Sequence, residues 1–403
     1  MRVAILCKWP ETDYLNGVAV HVKKIVESLS RVESMEIFIL SFGNITKNEH
    51  IQNCKIILIK RRIVYYIFPV IPIVILYREL IKTKPDIVHL QGVSLSPYLF
   101  AFLLPLKSTK KIITIHSSQI VEKIAQEKIK SNSPFAVSLQ LLELLIVNRA
   151  DLIISVTHKL SKYLNTKIRK SSTKLVVIPN GFDDVLFQPS NKIVPISGEL
   201  KLTDRFIIFH AKDFLINNGQ EYLIRAIPLI LKWIPNAILL LAGTGPQKGY
   251  LENLCHSLMI DRNVLFLGAI PHSKIPLYMS RADVIVIPSI KINNSEEGSS
   301  IFLVEAMAME KPIIASNIGG LNETILNNET GLLIPDKDPI AIALAVRMLH
   351  DNPDFSRRIS KQAKKYVDAY RSWKAISNQT YRAYTLIIDN PRSLQSSSSS
   401  NSD

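Results

Sequence analysis

The sequence predicts two doubly wound α/β domains in series, followed by one C-terminal helix and a disordered tail. The chain has 403 residues, of which 47% are hydrophobic and 21% are charged, so it can bury more than one core. Short apolar runs alternate with amphipathic helical stretches, as expected for parallel sheets that are covered by helices on both faces. This alternation begins again at Phe206, and the two halves therefore share one architecture.

The first domain is predicted to span residues 1–190. Its strands are expected at Arg2, Ile37, Ile56, Ile87, Ile112, Leu152 and Val176. The most apolar segment, Ile63 to Tyr77, contains two prolines and is shorter than the roughly 20 residues that cross a bilayer. We interpret it as a buried helix. Because Lys60, Arg61 and Arg62 precede it, a helix that lies on an anionic membrane surface is the alternative.

The second domain is predicted to span residues 191–370, after polar and proline-containing sequence that favours a linker. Its strands are expected at Phe206 to Phe209, Ile238 to Ala242, Val264 to Leu267, Val284 to Pro288, Pro312 to Ala315 and Gly331 to Ile334. Asp338 and Pro339 combine an N-cap acid with a proline at the first helical position, which predicts a helix that runs to Leu349. Residues 371–390 are expected to form a helix that packs back toward the first domain. Residues 391–403, with five consecutive serines, are expected to be disordered.

The net charge of +15 is concentrated in the first domain. Residues 1–190 carry 26 Lys and Arg against 14 Asp and Glu, a balance of +12, which leaves +3 for the remainder. The lysines are scattered and no nucleic-acid-binding motif accompanies them, so nucleic acid is not an expected partner. An anionic membrane surface, or an acceptor that carries phosphate, fits this charge.

The cysteines and the N-terminal sequence predict the compartment. Cys7, Cys54 and Cys255 have no short spacing, so the sequence predicts neither a disulfide framework nor a thiolate metal site. The apolar run Val3 to Cys7 is broken by Lys8 and is typical of a first strand, not of a secretion signal. We therefore expect a cytoplasmic protein. A cytoplasmic protein bound peripherally to the inner face of the membrane is the alternative.

Residues at the carboxyl ends of the predicted strands are candidates for function, because ligands of open parallel sheets bind there. Gly17 precedes a helix after the first strand and leaves room for a phosphate, although helix initiation explains a glycine equally well. His89 and His116 both end strands, and His116 is the stronger candidate for catalysis. The segment Gly243-Thr244-Gly245-Pro246 lacks the spacing of a dinucleotide-binding loop, and we interpret it as a tight turn.

The segment from Glu296 to Glu310 is the most informative part of the chain. Gly298-Ser299-Ser300 follows a strand and a loop and begins a helix, whose free amide groups and positive dipole end suit an anion. Glu297 lies before the helix and Glu305 within it, so the two carboxylates can address different hydroxyl groups of one extended ligand. A capped amphipathic helix with solvated glutamates is the alternative.

A longer pattern surrounds these glutamates. Glu297 and Glu305 form a Glu-x7-Glu pattern, which is followed by Ala306-Met307-Ala308 and by the segment Lys311 to Gly320. Further motifs are the segments Lys174 to Gly181, Leu241 to Pro246 and Phe266 to Asp283. In these motifs the sequence resembles the retaining glycosyltransferases of family 4, also called glycosyltransferase group 1, which have the GT-B fold. The resemblance covers nearly the whole ordered chain.

The resemblance implies two Rossmann-like domains that face each other across a cleft. It implies transfer of a sugar from a nucleoside diphosphate sugar to the hydroxyl of a sugar, lipid-linked or glycan acceptor, with retention of the anomeric configuration. Glu297 and His116 are placed near the donor sugar as catalytic residues, and Glu305 binds the ribose. Gly17 approaches the diphosphate from the opposite domain, and the helix start holds it through Gly298, Ser299, Ser300, Ile301 and Phe302. No metal and no cofactor besides the donor is implied.

The sequence departs from the family pattern at two places. Alignment on Gly219 puts Asp213 and Asn218 where the family usually has an Arg and a Lys that hold the diphosphate, and we predict Lys212 as the substitute. The usual Gly-Phe-Gly is Gly298-Ser299-Ser300 here. Two alternatives to an active transferase therefore stay open. One is a weakly active or inactive sugar-nucleotide-binding partner protein, and the other is a sugar-nucleotide epimerase on the same fold.

Overall fold

A computed structural model shows how the chain folds. It describes residues 1–10, 17–44, 47–60, 70–92, 96–116, 133–189, 202–292 and 296–389. Four predictions fall wholly or mainly outside these residues. They are the basic residues Arg61 and Arg62 beside a membrane, the start of the apolar helix at Ile63, the linker between the domains, and the disordered tail 391–403.

The described part of the first domain contains a sheet of eight strands. Its central strand β1 buries Val3, Ala4, Ile5 and Leu6 completely, as expected for a strand covered on both faces. All neighbouring strands run parallel except β3, which pairs antiparallel with β4. The spatial order is β3-β4-β2-β1-β5-β6-β7-β8, with β1 (Arg2–Leu6), β2 (Glu36–Gly43), β3 (Lys47–Ile51), β4 (Cys54–Lys60), β5 (Ile87–Gln91), β6 (Lys110–Ile115), β7 (Leu152–Ser155) and β8 (Lys174–Val177).

Helices cover both faces of this sheet. Helix α1 (Gly17–Leu29) packs on one face, and the other face carries α2 (Val70–Thr83), α3 (Pro97–Leu103), α4 (Pro134–Arg149) and α5 (His158–Asn165). Helix α2 buries Leu76 and Leu80, whereas Val74 and Ile81 are exposed. The helix predicted to be buried is therefore buried on one side only.

The second domain repeats the same plan with six parallel strands among its described residues. The order is β11-β10-β9-β12-β13-β14, with β9 (Phe206–Ala211), β10 (Ala237–Ala242), β11 (Val264–Gly268), β12 (Val284–Ile287), β13 (Ile313–Ser316) and β14 (Leu332–Ile334). The chain reverses its direction of travel across the sheet between β9 and β12. In open parallel sheets this switch point is where ligands bind.

Helices also cover both faces of the second sheet. One face carries α6 (Gln220–Leu231), α7 (Lys248–Ser257) and α11 (Pro339–Asp351), and the other carries α8 (Ile275–Arg281), α9 (Ile301–Ala308) and α12 (Pro353–Tyr370). The short α10 (Gly319–Thr324) follows β13. Asp338 caps α11 as predicted, because its Oδ1 accepts hydrogen bonds from Ile340 N and Ala341 N, each at 2.9 Å.

The chain crosses between the domains twice, and the two crossings lie side by side. Phe182 N donates to Arg371 O at 2.9 Å, and Trp373 N donates to Phe182 O at 3.2 Å. Helix α13 (Trp373–Ile388) then lies against α1, and its Tyr384 hydroxyl is 2.6 Å from His89 Nδ1. The last helix therefore forms part of the core of the first domain.

The predicted fold class is confirmed, and every predicted strand is present. The sequence did not predict β3. This strand has the polar sequence Lys-Asn-Glu-His-Ile, and it exists because a two-residue turn at Gln52 and Asn53 folds it back onto β4. Gln52 adopts a φ of 50°, which a turn of this kind requires.

Candidate functional site

A cleft between the two domains lies at the carboxyl ends of β9 and β12. Its cavity has a volume of about 530 Å³, and its wall comes mostly from the second domain, with Gly17 and Val20 closing it from the first. Of the ten residues predicted for the site, eight line this cavity, and only His116 and Gly298 do not. The eight are Gly17, Lys212, Glu297, Ser299, Ser300, Ile301, Phe302 and Glu305.

The N-terminus of α9 faces the cavity. Ser300 is its N-cap and accepts a hydrogen bond from Leu303 N at 3.4 Å, while the other amide groups of the first turn have no partner within the helix. Every residue of α9 is buried, so the core fixes the helix in place. Across the cleft, a Cβ on Gly17 would lie 4.0 Å from Ile301 Cδ1, so the two domains approach to van der Waals distance here. The arrangement suits an anion at the start of α9.

Glu297 and Lys212 form an ion pair in the wall of the cleft. Lys212 follows β9 directly, and its Nζ lies 2.6 Å from Glu297 Oε2. Ser289, just after β12, donates a hydrogen bond from Oγ to the same carboxylate oxygen at 3.0 Å. The side chains of Lys212 and Glu297 are 16% and 13% exposed, so the pair is shielded from water but reachable from the cavity.

Glu305 forms a second pair, with His272. Its Oε1 lies 2.6 Å from His272 Nε2, and both side chains line the cavity. Burial raises the pKa of Glu305, and the hydrogen bond and charge of His272 oppose this effect. Burial lowers the pKa of His272, but the hydrogen bond and charge of Glu305 outweigh it, so the pKa of His272 lies above its ordinary value. The pair therefore keeps the imidazole of His272 protonated to a higher pH than an unpaired histidine would be.

We expect this pair to make the stability of the fold depend on pH. Because the pKa of His272 is raised in the folded state, pairing with the ionised Glu305 stabilises the fold fully below the ordinary histidine value of 6.5, down to the pH at which Glu305 takes up a proton, and it is lost as the pH rises through the raised value of His272. Scanning fluorimetry should show that His272→Gln lowers the thermal midpoint more at about pH 6 than at about pH 9. His256, with a side chain that is 87% exposed, provides the control, and His256→Gln should have a small effect at both pH values. A His272→Gln effect that stays constant with pH would contradict the pair.

His116 lies behind the wall of the cleft. Its ring centroid is 4.6 Å from that of His21, its Nε2 is 3.4 Å from Gln91 Oε1, and a Cβ on Gly298 would lie 3.0 Å from its carbonyl oxygen. Burial, with the charges of His21 and His89 in addition, holds the pKa of His116 well below its ordinary value. The imidazole is therefore neutral at neutral pH, and the catalytic role of His116 stays a prediction.

The loop that carries Glu297 and Ser299 is held from both domains. Asn180 of the first domain donates its backbone N–H to Ser299 Oγ at 3.0 Å and its side-chain amide to Ser299 O at 2.7 Å. From the second domain, Gly320 N donates to Glu297 O at 2.9 Å. Gly319 has a φ of 48°, and a Cβ there would lie 2.1 Å from Glu297 O, so any other residue at this position would displace the loop.

Two parts of the cleft wall were not predicted from the sequence. His272 lies in the loop between β11 and α8. Its contact with Glu305, which the sequence does not reveal, identifies it as part of the site. Gly243 and Thr244 line the cavity, although the sequence indicated no more than a tight turn. Gly243 has a φ of 141°, and a Cβ there would lie 2.2 Å from Lys212 O. Because glycine has no Cβ, this turn can pack directly against the backbone of Lys212. The position of the turn at the carboxyl end of β10 was the signal available in the sequence.

The two positions that depart from the family pattern also lie in the cleft wall. Asp213 presents an exposed side chain, and the buried Asn218 donates from Nδ2 to Asp213 O at 2.7 Å. Neither residue provides a cation. Within the described parts of the chain, Lys212 is the only Lys or Arg that lines the cavity.

Two families of glycosyltransferase domains match the chain. The family described as Glycosyltransferase Family 4 matches residues 15–185, and the family described as Glycosyl transferases group 1 matches residues 196–366. The first half of the chain is therefore similar to a family 4 domain, and the second half is similar to a group 1 domain. The family 4 match includes every strand of the first sheet except β1, and the group 1 match includes all six strands of the second sheet.

Curated relatives match part of this two-domain chain. An uncharacterized glycosyltransferase of Methanocaldococcus jannaschii is 31% identical over 59% of this chain and 60% of its own length. A GDP-mannose-dependent alpha-(1-6)-phosphatidylinositol monomannoside mannosyltransferase of Mycolicibacterium smegmatis is 29% identical over 52% of this chain and 55% of its own length. The matches therefore span little more than half the length of these relatives.

Solved structures resemble both domains of the chain together. Sucrose-phosphate synthase from Thermosynechococcus elongatus superimposes with a TM-score of 0.78 and 23% identity, over 96% of this chain and 99% of that chain. HepE of Anabaena, solved in complex with UDP-glucose, gives a TM-score of 0.74 and 17% identity, over 96% of this chain and 100% of that chain. The fold of the chain is therefore GT-B.

Proposed function

We propose that the protein is a retaining glycosyltransferase that moves a sugar from a nucleoside diphosphate sugar to an acceptor hydroxyl. The observation that carries the proposal is the start of α9 in the interdomain cleft, with one carboxylate on each side of it. Glu297 lies before the helix, Glu305 lies one turn into it, and both line one cavity. The amide groups suit a diphosphate, and the carboxylates on either side suit the hydroxyl groups of the ribose and of the sugar that the diphosphate joins.

In this proposal the ligand spans the whole cleft. The diphosphate lies over the amide groups of Ser300, Ile301 and Phe302, the ribose lies at Glu305, and the donor sugar lies at Glu297. The cavity of about 530 Å³ falls in the usual range for small-molecule sites, roughly 300–1,000 Å³. HepE, which shares the fold, was solved with UDP and with UDP-glucose, which supports a nucleotide-sugar donor.

The chemistry required of the site is stabilisation of the departing diphosphate. Negative charge grows on the diphosphate as the bond between the anomeric carbon and the phosphate oxygen breaks. The amide groups of α9 are fixed in place before the reaction, so they stabilise this charge without reorganisation, and Lys212 adds a positive charge beside them. A diphosphate oxygen then takes the proton of the acceptor hydroxyl on the same face, so the proposal requires neither a separate base nor a metal.

Incubation with a panel of UDP-, GDP- and ADP-sugars, with and without saccharide acceptors, tests the proposal. Release of the nucleoside diphosphate that rises with acceptor supports transfer, and release that persists in EDTA supports metal independence. The anomeric configuration of the product, read by NMR, tests retention. Conversion of the donor to its epimer without release would favour an epimerase instead.

A weakly active or inactive donor-binding partner protein is the second candidate, and Asp213 favours it. Its carboxylate lines the cavity near the proposed diphosphate position, where repulsion between like charges weakens binding. Calorimetry that shows nucleotide binding without turnover on the whole panel would support this candidate over the transferase.

We also propose that the first domain lies on an anionic membrane surface at its acceptor side. None of the described helices is long and apolar enough to cross a membrane. Helix α4 exposes Val137, Leu141 and Leu145, which are spaced four residues apart and are 46 to 57% exposed. On the same side of the sheet, α2 exposes Val74 and Ile81. Apolar side chains that face water, on a domain with a charge of +12, fit anionic lipid.

Sedimentation with anionic phospholipid vesicles tests this surface. The protein should bind at low salt, and the bound fraction should fall as salt rises, because salt screens the attraction between lysines and lipid headgroups. Leu141→Asp combined with Leu145→Asp should weaken binding by about tenfold or more, since each change puts a carboxylate at the lipid surface. Leu344→Asp, at a position of α11 that is 51% exposed, is the control. Equal binding by all three proteins would contradict the surface, and no binding at low salt would leave a soluble acceptor.

A further inference from the structure

A second cavity lies where the chain crosses between the domains, and we name it the hinge cavity. Its volume is about 370 Å³, which is also within the usual range for small-molecule sites, roughly 300–1,000 Å³. Ser299 lines both the hinge cavity and the cleft. The polar side chains that matter here are Thr157, Glu323, Tyr366, Tyr370, Arg371 and Gln379.

Arg371 is buried in the wall of the hinge cavity without a carboxylate partner. It is 7% exposed, and it takes part in none of the ion pairs formed by the described residues. Its guanidinium donates long hydrogen bonds to neutral oxygens, at 3.5 Å to Asn180 O, 3.4 Å to Thr324 Oγ1 and 3.5 Å to Tyr366 Oη. Buried charges in proteins are normally paired, so this guanidinium lacks one negative partner.

The rest of the wall does not supply that partner. Within the described residues, Glu323 is the one carboxylate that lines the hinge cavity. Its two oxygens accept from His158 N and Lys159 N, each at 2.7 Å, so it caps α5. The wall also contains hydroxyl groups of tyrosine and threonine and the side-chain amide of Gln379, which are groups that can donate hydrogen bonds to an anion.

We propose that the hinge cavity binds a small phosphorylated metabolite, whose phosphate pairs with Arg371. The planar guanidinium can bind two phosphate oxygens at once, and the surrounding hydroxyl groups can donate to the third. The cavity is larger than a phosphate group alone requires, which leaves room for the organic part of the ligand. This site is separate from the cleft, and it does not rest on the function proposed for the cleft.

The hinge cavity is connected to the cleft by a short chain of contacts. Arg371 donates to the carbonyl of Asn180, and Asn180 holds Ser299 through two hydrogen bonds. Ser299 directly precedes Ser300, the N-cap of α9. A phosphate that draws the guanidinium toward itself changes the contact between Arg371 and Asn180. A ligand in the hinge cavity should therefore change the affinity of the cleft for its ligand, and a ligand in the cleft should change the affinity of the hinge cavity by the same factor.

Calorimetry of the full chain with inorganic phosphate and with glucose 6-phosphate tests the site. Binding of both probes with equal affinity identifies free phosphate as the ligand chemistry, and tighter binding of glucose 6-phosphate identifies a phosphorylated metabolite. Arg371→Gln should weaken binding at least tenfold. Arg358→Gln removes the same charge from an exposed position on α12 and should bind like the wild type.

A second variant keeps the test valid if Arg371→Gln does not fold. Gln379→Glu retains the arginine and adds a carboxylate at an exposed position of the same wall, so it should also weaken binding at least tenfold while keeping the wild-type thermal midpoint. Phosphate bound at the start of α9 would instead keep its affinity in Gln379→Glu, because this change leaves Arg371 and its contact with Asn180 in place. Unchanged binding in Gln379→Glu and in folded Arg371→Gln would overturn the proposal, as would the absence of binding by the wild type.

Discussion

Glu297→Gln is expected to lower the rate of sugar transfer by about a hundredfold or more while leaving nucleotide affinity nearly unchanged. The amide keeps the shape of the side chain but loses the charge that faces the donor sugar, where positive charge develops in the transition state. Glu297 contacts Lys212 and Ser289, and neither contact involves the nucleotide end of the cleft at Glu305. Steady-state rates and calorimetry with the free nucleoside diphosphate measure the two effects separately.

Glu305→Gln provides the opposite result in the same assays. It should weaken nucleotide binding by about tenfold or more, because a carboxylate that accepts from ribose hydroxyls is lost, and it should affect turnover at saturating donor much less. Asp213→Asn is the matched control, since it removes one negative charge from the same wall without touching either pair, and by relieving repulsion it should raise nucleotide affinity and not lower it. If both glutamate variants bind and turn over like the wild type, the assignment of donor sugar and ribose to these two carboxylates is wrong.

The sequence predicted the fold well because the fold depends on patterns that are local in the chain. A strand buried on both faces, such as β1, must be a short apolar run, and the helix caps at Asp338 and Ser300 are signalled by single residues. The start of α9 was predicted for the same reason. It combines a strand, a glycine, two serines and an apolar helix within one short segment.

The contacts that give the cleft its charge could not be predicted, because they join residues far apart in the chain. Lys212 and Glu297 are 85 residues apart, and His272 and Glu305 are 33 apart. Arg371 and Asn180 are separated by 191 residues, and their contact depends on how the two domains meet. No pattern within a short segment of sequence indicates contacts between such distant residues. Strand ends indicated where the cleft lies, but not which side chains neutralise one another within it.

Lys212→Ala is expected to slow transfer by at least about tenfold, which corresponds to about 1.4 kcal/mol of activation free energy. Without Lys212, a diphosphate on α9 would meet amide groups and the carboxylate of Asp213, but no lysine or arginine among the described residues of the wall. The long flexible side chain allows Nζ to move from Glu297 toward a phosphate when the donor binds. Ser289 still donates to Glu297 in the variant, so the thermal midpoint of the free protein should change little.

A double variant separates the two roles that the geometry gives Lys212. The ammonium group can act on the diphosphate directly, or it can act by orienting Glu297, which lies 2.6 Å away. Asp213→Arg in the Lys212→Ala background returns a cation to the wall one residue along, without restoring the contact with Glu297. If the diphosphate is the target, this double variant should recover most of the lost rate. If the orientation of Glu297 matters instead, the double variant should stay as slow as Lys212→Ala. Transfer that is unchanged in Lys212→Ala itself would remove both roles and leave the start of α9 to hold the diphosphate alone.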